Sequence, residues 1–201
     1  MPAAPRRART APPKKKQKKK SRGALRNARS HGKPNQKKTK RAANRLAVDV
    51  LVEAGGWNDF TGAATIVGAA LAAAVEAVST PRAELAIVLT DDSAVRELNR
   101  TWRGIDAATN VLSFPAPRTP AGAPHLGDIV LAWETVAAEA KAQRKPFAHH
   151  LAHLAVHGFL HLLGYDHESN KDALVMEQIE RNILQRLAIP DPYRQSAKDR
   201  I

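Results

Sequence analysis

Read along the chain, apolar and polar positions organise into regular segments only after residue 45. Leu46-Ala47-Val48-Asp49-Val50-Leu51-Val52 is apolar on both faces apart from Asp49. It reads as a strand, stopped by Gly55-Gly56. Thr61 to Ser79 is Ala-rich and helical, with Pro81 after its end. Glu84 to Thr90 predicts a second strand. Ser93 to Trp102 predicts a short helix, with Asp91 or Asp92 as its cap. Asn110 to Phe114 and Asp128 to Trp133 predict a third and fourth strand, separated by a loop holding Pro115, Pro117, Pro120 and Pro124. Three helices follow, over Glu134–Arg144, Phe147–Leu163 and Asn170–Leu187. Strands cluster early and helices late, which predicts an α+β fold with a small mixed four-stranded sheet packed by helices. The tract after Leu187 carries Pro190 and Pro192 and is expected to fray. This places a domain over residues 46–190 and a flexible C-terminus over 191–201.

Charge divides the chain at the same point. Residues 1–45 hold 18 Lys or Arg and no acid, whereas the rest holds 14 basic and 19 acidic side chains. The net charge of +13 is therefore a property of the first segment, and the body is mildly acidic. The run Lys14-Lys15-Lys16-Gln17-Lys18-Lys19-Lys20 sits among Pro and Gly. Such a segment cannot bury enough apolar area to offset its ordering entropy, so a disordered basic tail is expected. It is read either as an arm that contacts an RNA backbone by neutralising phosphates, with no aromatic for base stacking, or as a solvated, sequence-tolerant extension. The nearest approach to a membrane span, Ile66 to Val78, is interrupted by Glu76. The basic N-terminus lacks the apolar core of a secretory signal. The expectation is a cytoplasmic protein with no membrane partner.

The chain contains no cysteine, which excludes disulfides, thiolate catalysis and Cys-ligated metal. Any metal must be held by His, Asp or Glu. His157 and His161 stand four apart on a predicted helix, so both imidazoles project from one face. Gly164 is placed to end that helix in the left-handed conformation, and the chain can then return His167 toward the pair. Three imidazoles on one Zn2+ leave a coordination place open for water, as in catalytic sites. The spacing matches that of metzincin proteases with one departure. The position after the first His, a Glu general base in those enzymes, is Gly158 here. Peptide hydrolysis loses its base.

A longer string carries a closer likeness. His157-Gly158-Phe159-Leu160-His161-Leu162-Leu163-Gly164-Tyr165-Asp166-His167 resembles the signature of the YbeY family of bacterial metal-dependent endoribonucleases. Leu98-Asn99-Arg100-Thr101-Trp102-Arg103-Gly104, Thr109-Asn110-Val111-Leu112-Ser113-Phe114-Pro115 and Leu126-Gly127-Asp128-Ile129 match in the same order. The likeness spans roughly residues 46–187. The basic tail lies outside it and departs from the family's compact form. The resemblance implies a single-strand-specific endoribonuclease acting in ribosomal RNA processing, including 16S 3′-end maturation, and in ribosome quality control, with ribosomal RNA and the small ribosomal subunit as partners. It implies one zinc ion on His157, His161 and His167, with Arg103 as the other functional residue.

Chemistry agrees with those assignments. Phosphodiester cleavage builds negative charge that a nearby cation stabilises, and Arg103 offers a two-pronged guanidinium at a helix end before Gly104. Asp128 opens an apolar strand and could orient a ligand His or bind substrate, or equally be a turn residue at the strand edge. Asp166 and Glu168 flank His167 and could relay a proton or cap a turn. His153 lies one turn back on the His157 face, as a supporting or surface histidine. Ser113 reads as structural rather than nucleophilic. Another metal hydrolase, or a non-enzymatic ribosome-associated factor with a structural metal, are the competing readings.

Overall fold

The computed structural model describes residues 46–80, 83–117 and 125–194. The expected tail lies outside the described residues. Each predicted element is present, with ends moved by no more than three residues. They are β1 Leu46–Val52, α1 Ala63–Val78, β2 Ala83–Thr90, α2 Asp92–Arg103, β3 Val111–Pro115, β4 His125–Ala132, α3 Trp133–Ala142, α4 Phe147–Leu162 and α5 Asn170–Arg186. Of the two cap candidates, Asp91 caps α2, accepting from Ala94 N–H at 2.8 Å.

The fold is α+β. The sheet has strand order β1-β2-β4-β3, with β1–β2 and β2–β4 parallel and β3–β4 antiparallel. Strand periodicity sorts its side chains into two cores. Leu85, Ile87 and Leu89 of β2 and Ile129 and Leu131 of β4 face α1, α4 and α5, where Val67, Leu71, Leu151, Phe159, Leu160 and Ile183 are buried. The opposite face holds Val130, Ala132 and Leu112, covered by Val95 and Leu98 of α2. Helices thus pack on both faces, and β3 remains an edge strand. β4 begins earlier than its apolar pattern suggests, through a register irregularity against β2 at which Gly127 adopts φ 136° and an added Cβ would meet the Phe114 carbonyl oxygen at 2.1 Å. Only glycine fits that backbone and that approach.

Two further features differ from expectation. A 3-10 turn over Gly55–Asp59 follows β1. It exists to seat Trp57, whose indole N–H donates to the Thr90 carbonyl at 2.8 Å and whose ring meets Trp133 edge-on. The tract after Leu187, predicted to fray, packs as far as it is described. Lys145 Nζ donates to the Pro192 carbonyl at 2.9 Å, and the Tyr193 hydroxyl bonds the buried Glu180. These anchors are long-range, so local composition does not reveal them.

α4 is the central helix, and ten of its residues are buried. It lies close against the sheet at Gly158. A Cβ there would lie 2.9 Å from Ile129 Cγ2 and 3.0 Å from Ser113 Oγ, and the Ser113 hydroxyl donates to the Gly158 carbonyl at 3.1 Å. The missing Glu of the protease pattern therefore has a packing cause. Gly158→Ala is expected to destabilise the protein by about 1–3 kcal/mol through overpacking. Gly68→Ala, where an added Cβ meets nothing within 4 Å, is expected to stabilise α1 by up to about 1 kcal/mol. Urea unfolding of the two variants checks the opposite signs.

Candidate metal centre and the cleft at the sheet edge

α4 is apolar on nearly every side except the stripe that carries His150, His153, His157 and His161. Gly164 adopts φ 89°, as its place after the helix requires. Its N–H bonds the His161 carbonyl at 2.9 Å, and Tyr165 N–H bonds the Leu160 carbonyl at 3.0 Å. The chain then doubles back and returns His167. The three candidate histidines come together, with one ring nitrogen from each lying within 4.8 Å of the others. His157 Nε2 and His161 Nε2 are 3.1 Å apart, and the His167 ring stacks at 24° on His157.

Glu180 of α5 decides how His157 is presented. This carboxylate is fully buried, and Oε1 accepts from His157 Nδ1 at 2.8 Å. His153 Nε2 lies 3.2 Å from Oε2, and the Tyr193 hydroxyl bonds the same oxygen. Burial alone would raise the Glu180 pKa, but the hydrogen bonds from His153 and His157 outweigh it and hold the group at about 2. An ionised carboxylate only accepts, so Nδ1 of His157 donates to it and Nε2 is the nitrogen turned toward His161 and His167. Burial, reinforced by His157 and His167, lowers the His161 pKa and favours its neutral form. Three imidazoles brought together, with one of them oriented by a carboxylate behind it, fit the donor set of a metal ion. Burial and Glu180 push the Tyr193 hydroxyl upward, so it stays protonated as a donor.

Sequence reasoning missed Glu180 and Tyr193. A lone Glu in an amphipathic helix carries no local mark of burial, and Tyr193 lies in the tract expected to fray. The available signal was His153, which repeats the four-residue spacing. It is mostly buried against Glu180 rather than at the surface.

The histidines open onto a cleft of about 750 Å³. One wall is the edge strand, Val111 to Pro115. The other holds His157, His161 and the Gly164–Glu168 return. Trp102 and Arg103, from the end of α2 on the opposite sheet face, line the same cleft. α2 stops there because Gly104 is left-handed at φ 72° and its N–H bonds the Arg100 carbonyl. Neighbouring arginines are committed elsewhere, Arg96 to Asp106 at 2.7 Å and Arg100 to Glu97 at 2.6 Å. Among the described residues no carboxylate pairs with Arg103. Asp166 and Glu168 also line the cleft, with Asp166 accepting from His167 N–H at 2.7 Å. Asp128 is not among the lining residues and sits 3.3 Å from His125 instead. Ser113 is committed to the Gly158 carbonyl, a structural role.

The model of the endoribonuclease YbeY family matches residues 59–188. The chain belongs to the endoribonuclease YbeY family. A relative from Nitrobacter hamburgensis, "Endoribonuclease YbeY", is 54% identical over 156 residues, covering 73% of this chain and 82% of its own. One from Rhodopseudomonas palustris, of the same description, is 52% identical over 154 residues, covering 73% and 90%. The solution structure of TM1509 from Thermotoga maritima overlaps 70% of this chain and 91% of its own, at 23% identity and a TM-score of 0.48. Tyr193 lies beyond the family match, yet it bonds the carboxylate behind His157.

Glu180→Gln is expected to weaken metal binding by about 10- to 100-fold, the usual effect of losing such a carboxylate partner. A competition titration with a chelating dye measures it. The same variant tests acid stability of the metal-free protein. The ordinary Glu pKa is 4.5 and the folded value is about 2, so the native state holds fewer protons between them. The stabilisation from Glu180 is complete above about pH 4.5 and is lost as pH falls through about 2. Unfolding curves should show this limb in the wild type and its weakening in Glu180→Gln.

Proposed function

We propose that this protein is a zinc-dependent endoribonuclease that cuts single-stranded ribosomal RNA, in maturation of the 16S 3′ end and in ribosome quality control. The observation that carries this reading is the shared cleft. Arg103 from one side of the sheet and His157, His161 and His167 from the other face the same space across the edge of β3. Membership of an endoribonuclease family supplies the substrate class.

One Zn2+ on the three histidines would supply positive charge against a phosphate oxygen and a bound water of lowered pKa. The chain's own residues do the rest. Glu180 keeps His157 in the orientation that presents Nε2. Arg103, at the cleft wall and without a carboxylate partner among the described residues, donates two parallel hydrogen bonds to the scissile phosphate and stabilises the charge that grows on it. Gly158 brings no side chain into the cleft, and the Ser113 hydroxyl is held by a carbonyl, so neither supplies a base or a nucleophile. Two carboxylates, Asp166 and Glu168, stand at the His167 side to receive a proton. The basic segment over residues 1–45 adds backbone contacts to RNA or the ribosome without chemistry. No helix among the described residues is long and apolar enough to cross a membrane, and we assign the protein to the cytoplasm.

Arg103→Ala is expected to keep its metal and fold while its rate of RNA cleavage falls about 10²–10³-fold. Lys at this position restores only part of the loss, because an ammonium lacks the paired donors. Wild-type turnover by a metal-loaded Arg103→Ala protein removes Arg103 from the mechanism. His157→Ala is expected to lose both metal, by elemental analysis, and RNA cleavage. Activity on casein in place of RNA would overturn the assignment. A chain starting at Leu46 is expected to keep its turnover on short RNA while its ribosome binding depends less steeply on salt.

A further inference from the structure

Trp102 is the largest exposed apolar side chain among the described residues, at 70% exposure. Of the other two indoles, Trp57 is 2% exposed and Trp133 is partly buried against it. A soluble surface tolerates isolated apolar residues, but an indole left open in the wall of a functional cleft is costly in water and valuable to a ligand. Its neighbour is Phe114 of the edge strand, met edge-on with ring centroids 6.2 Å apart. That contact steadies the indole and leaves much of its surface uncovered. The next residue in the chain is Arg103, in the same cleft.

We infer that Trp102 is a stacking platform for an unpaired nucleobase beside the scissile phosphate, and so a determinant of the preference for single-stranded RNA. The inference rests on the RNA-cleaving role proposed above and deepens it. An aromatic face next to a guanidinium reproduces the two contacts a single strand offers, a base to stack and a phosphate to neutralise. A base in a duplex has both faces covered by its neighbours and cannot reach the platform without being unstacked. Because stacking uses the π face common to all bases, Trp102 would select for unpaired structure with little regard to sequence.

The test uses the full-length, metal-loaded protein and short single-stranded RNA oligonucleotides, intact or with one abasic residue at successive positions. Trp102→Ala is expected to raise KM roughly 10- to 100-fold on intact RNA with a much smaller change in kcat, and Trp102→Phe to recover most of the loss. At one abasic position beside the cut, wild type and Trp102→Ala should converge on the same KM, because the stacking partner is already gone. Several results would overturn the inference. One is an unchanged KM for Trp102→Ala on intact RNA. Another is an equal loss on intact RNA and on every abasic oligonucleotide, which would mark a structural role. A third is unchanged oligonucleotide binding with weakened binding to ribosomes alone, which would make Trp102 an anchor for a protein partner. A wild-type protein that cleaves no RNA would overturn the proposed function itself, and this inference with it. Circular dichroism and metal content of both variants confirm that fold and centre are intact.

Discussion

The close approach of α4 to the sheet at Gly158 is the constraint on which the site depends. A helix that is apolar nearly all round must be covered all round, and α4 meets α1, α3 and α5 as well as β3 and β4. At Gly158 the gap to Ile129 and Ser113 is too small for a side chain. The helix axis is therefore drawn down beside the edge strand, and the stripe carrying His157 and His161 emerges just past that edge. Had a further strand paired with β3, the space now lined by the histidines would be filled by backbone. An edge strand is ordinarily a liability for self-association. Here its border is occupied by the ends of elements from both faces, which turns an unpaired edge into one wall of a cleft.

A buried carboxylate joins this arrangement to the rest of the fold. Removing Glu180 from water is expensive, and it is tolerated because His153, His157 and Tyr193 all bond its two oxygens. Those partners come from α4 and from the stretch after α5, so one polar cluster inside an apolar interface ties three parts of the chain together. The consequence for function is directional. The orientation of His157 follows from how α5 lies against α4, and a disturbance of either helix is felt at the candidate metal centre without any change in the three histidines. The Tyr193 contact extends this dependence to a residue outside the family match.

Charge at the cleft is arranged by subtraction. Three arginines occupy successive turns of α2, and two are engaged by Asp106 and Glu97. Exposed pairs of this sort add little stability, but they leave the last arginine, beside Gly104, available at the wall. The short loop after α2 is held by Asn99, whose amide donates to the Ala107 carbonyl at 2.8 Å. This keeps the route from Arg103 to β3 compact.

Local sequence determined much of this protein. The alternation in β2 and β4, the Asp91 cap, the glycine stop after α2 and the i, i+4 histidines with Gly164 are all short-range patterns, set by backbone periodicity and by which residues tolerate left-handed geometry. They were sufficient for the elements, the α+β class, the three-histidine cluster and the family. Tertiary structure alone decided what depends on residues far apart. Trp57 forms its turn because it reaches Thr90. Gly158 lacks a side chain because Ile129 and Ser113 are there, Glu180 is buried because two helices close over it, and Tyr193 packs against α5 because that carboxylate accepts its hydroxyl. Asp128, a plausible participant by its neighbours in sequence, lies off the cleft because the pleat and the Gly127 distortion set its place. Periodicity tells which face of an element is apolar, but only packing tells which polar groups are trapped between faces, and it is those trapped groups that orient the site.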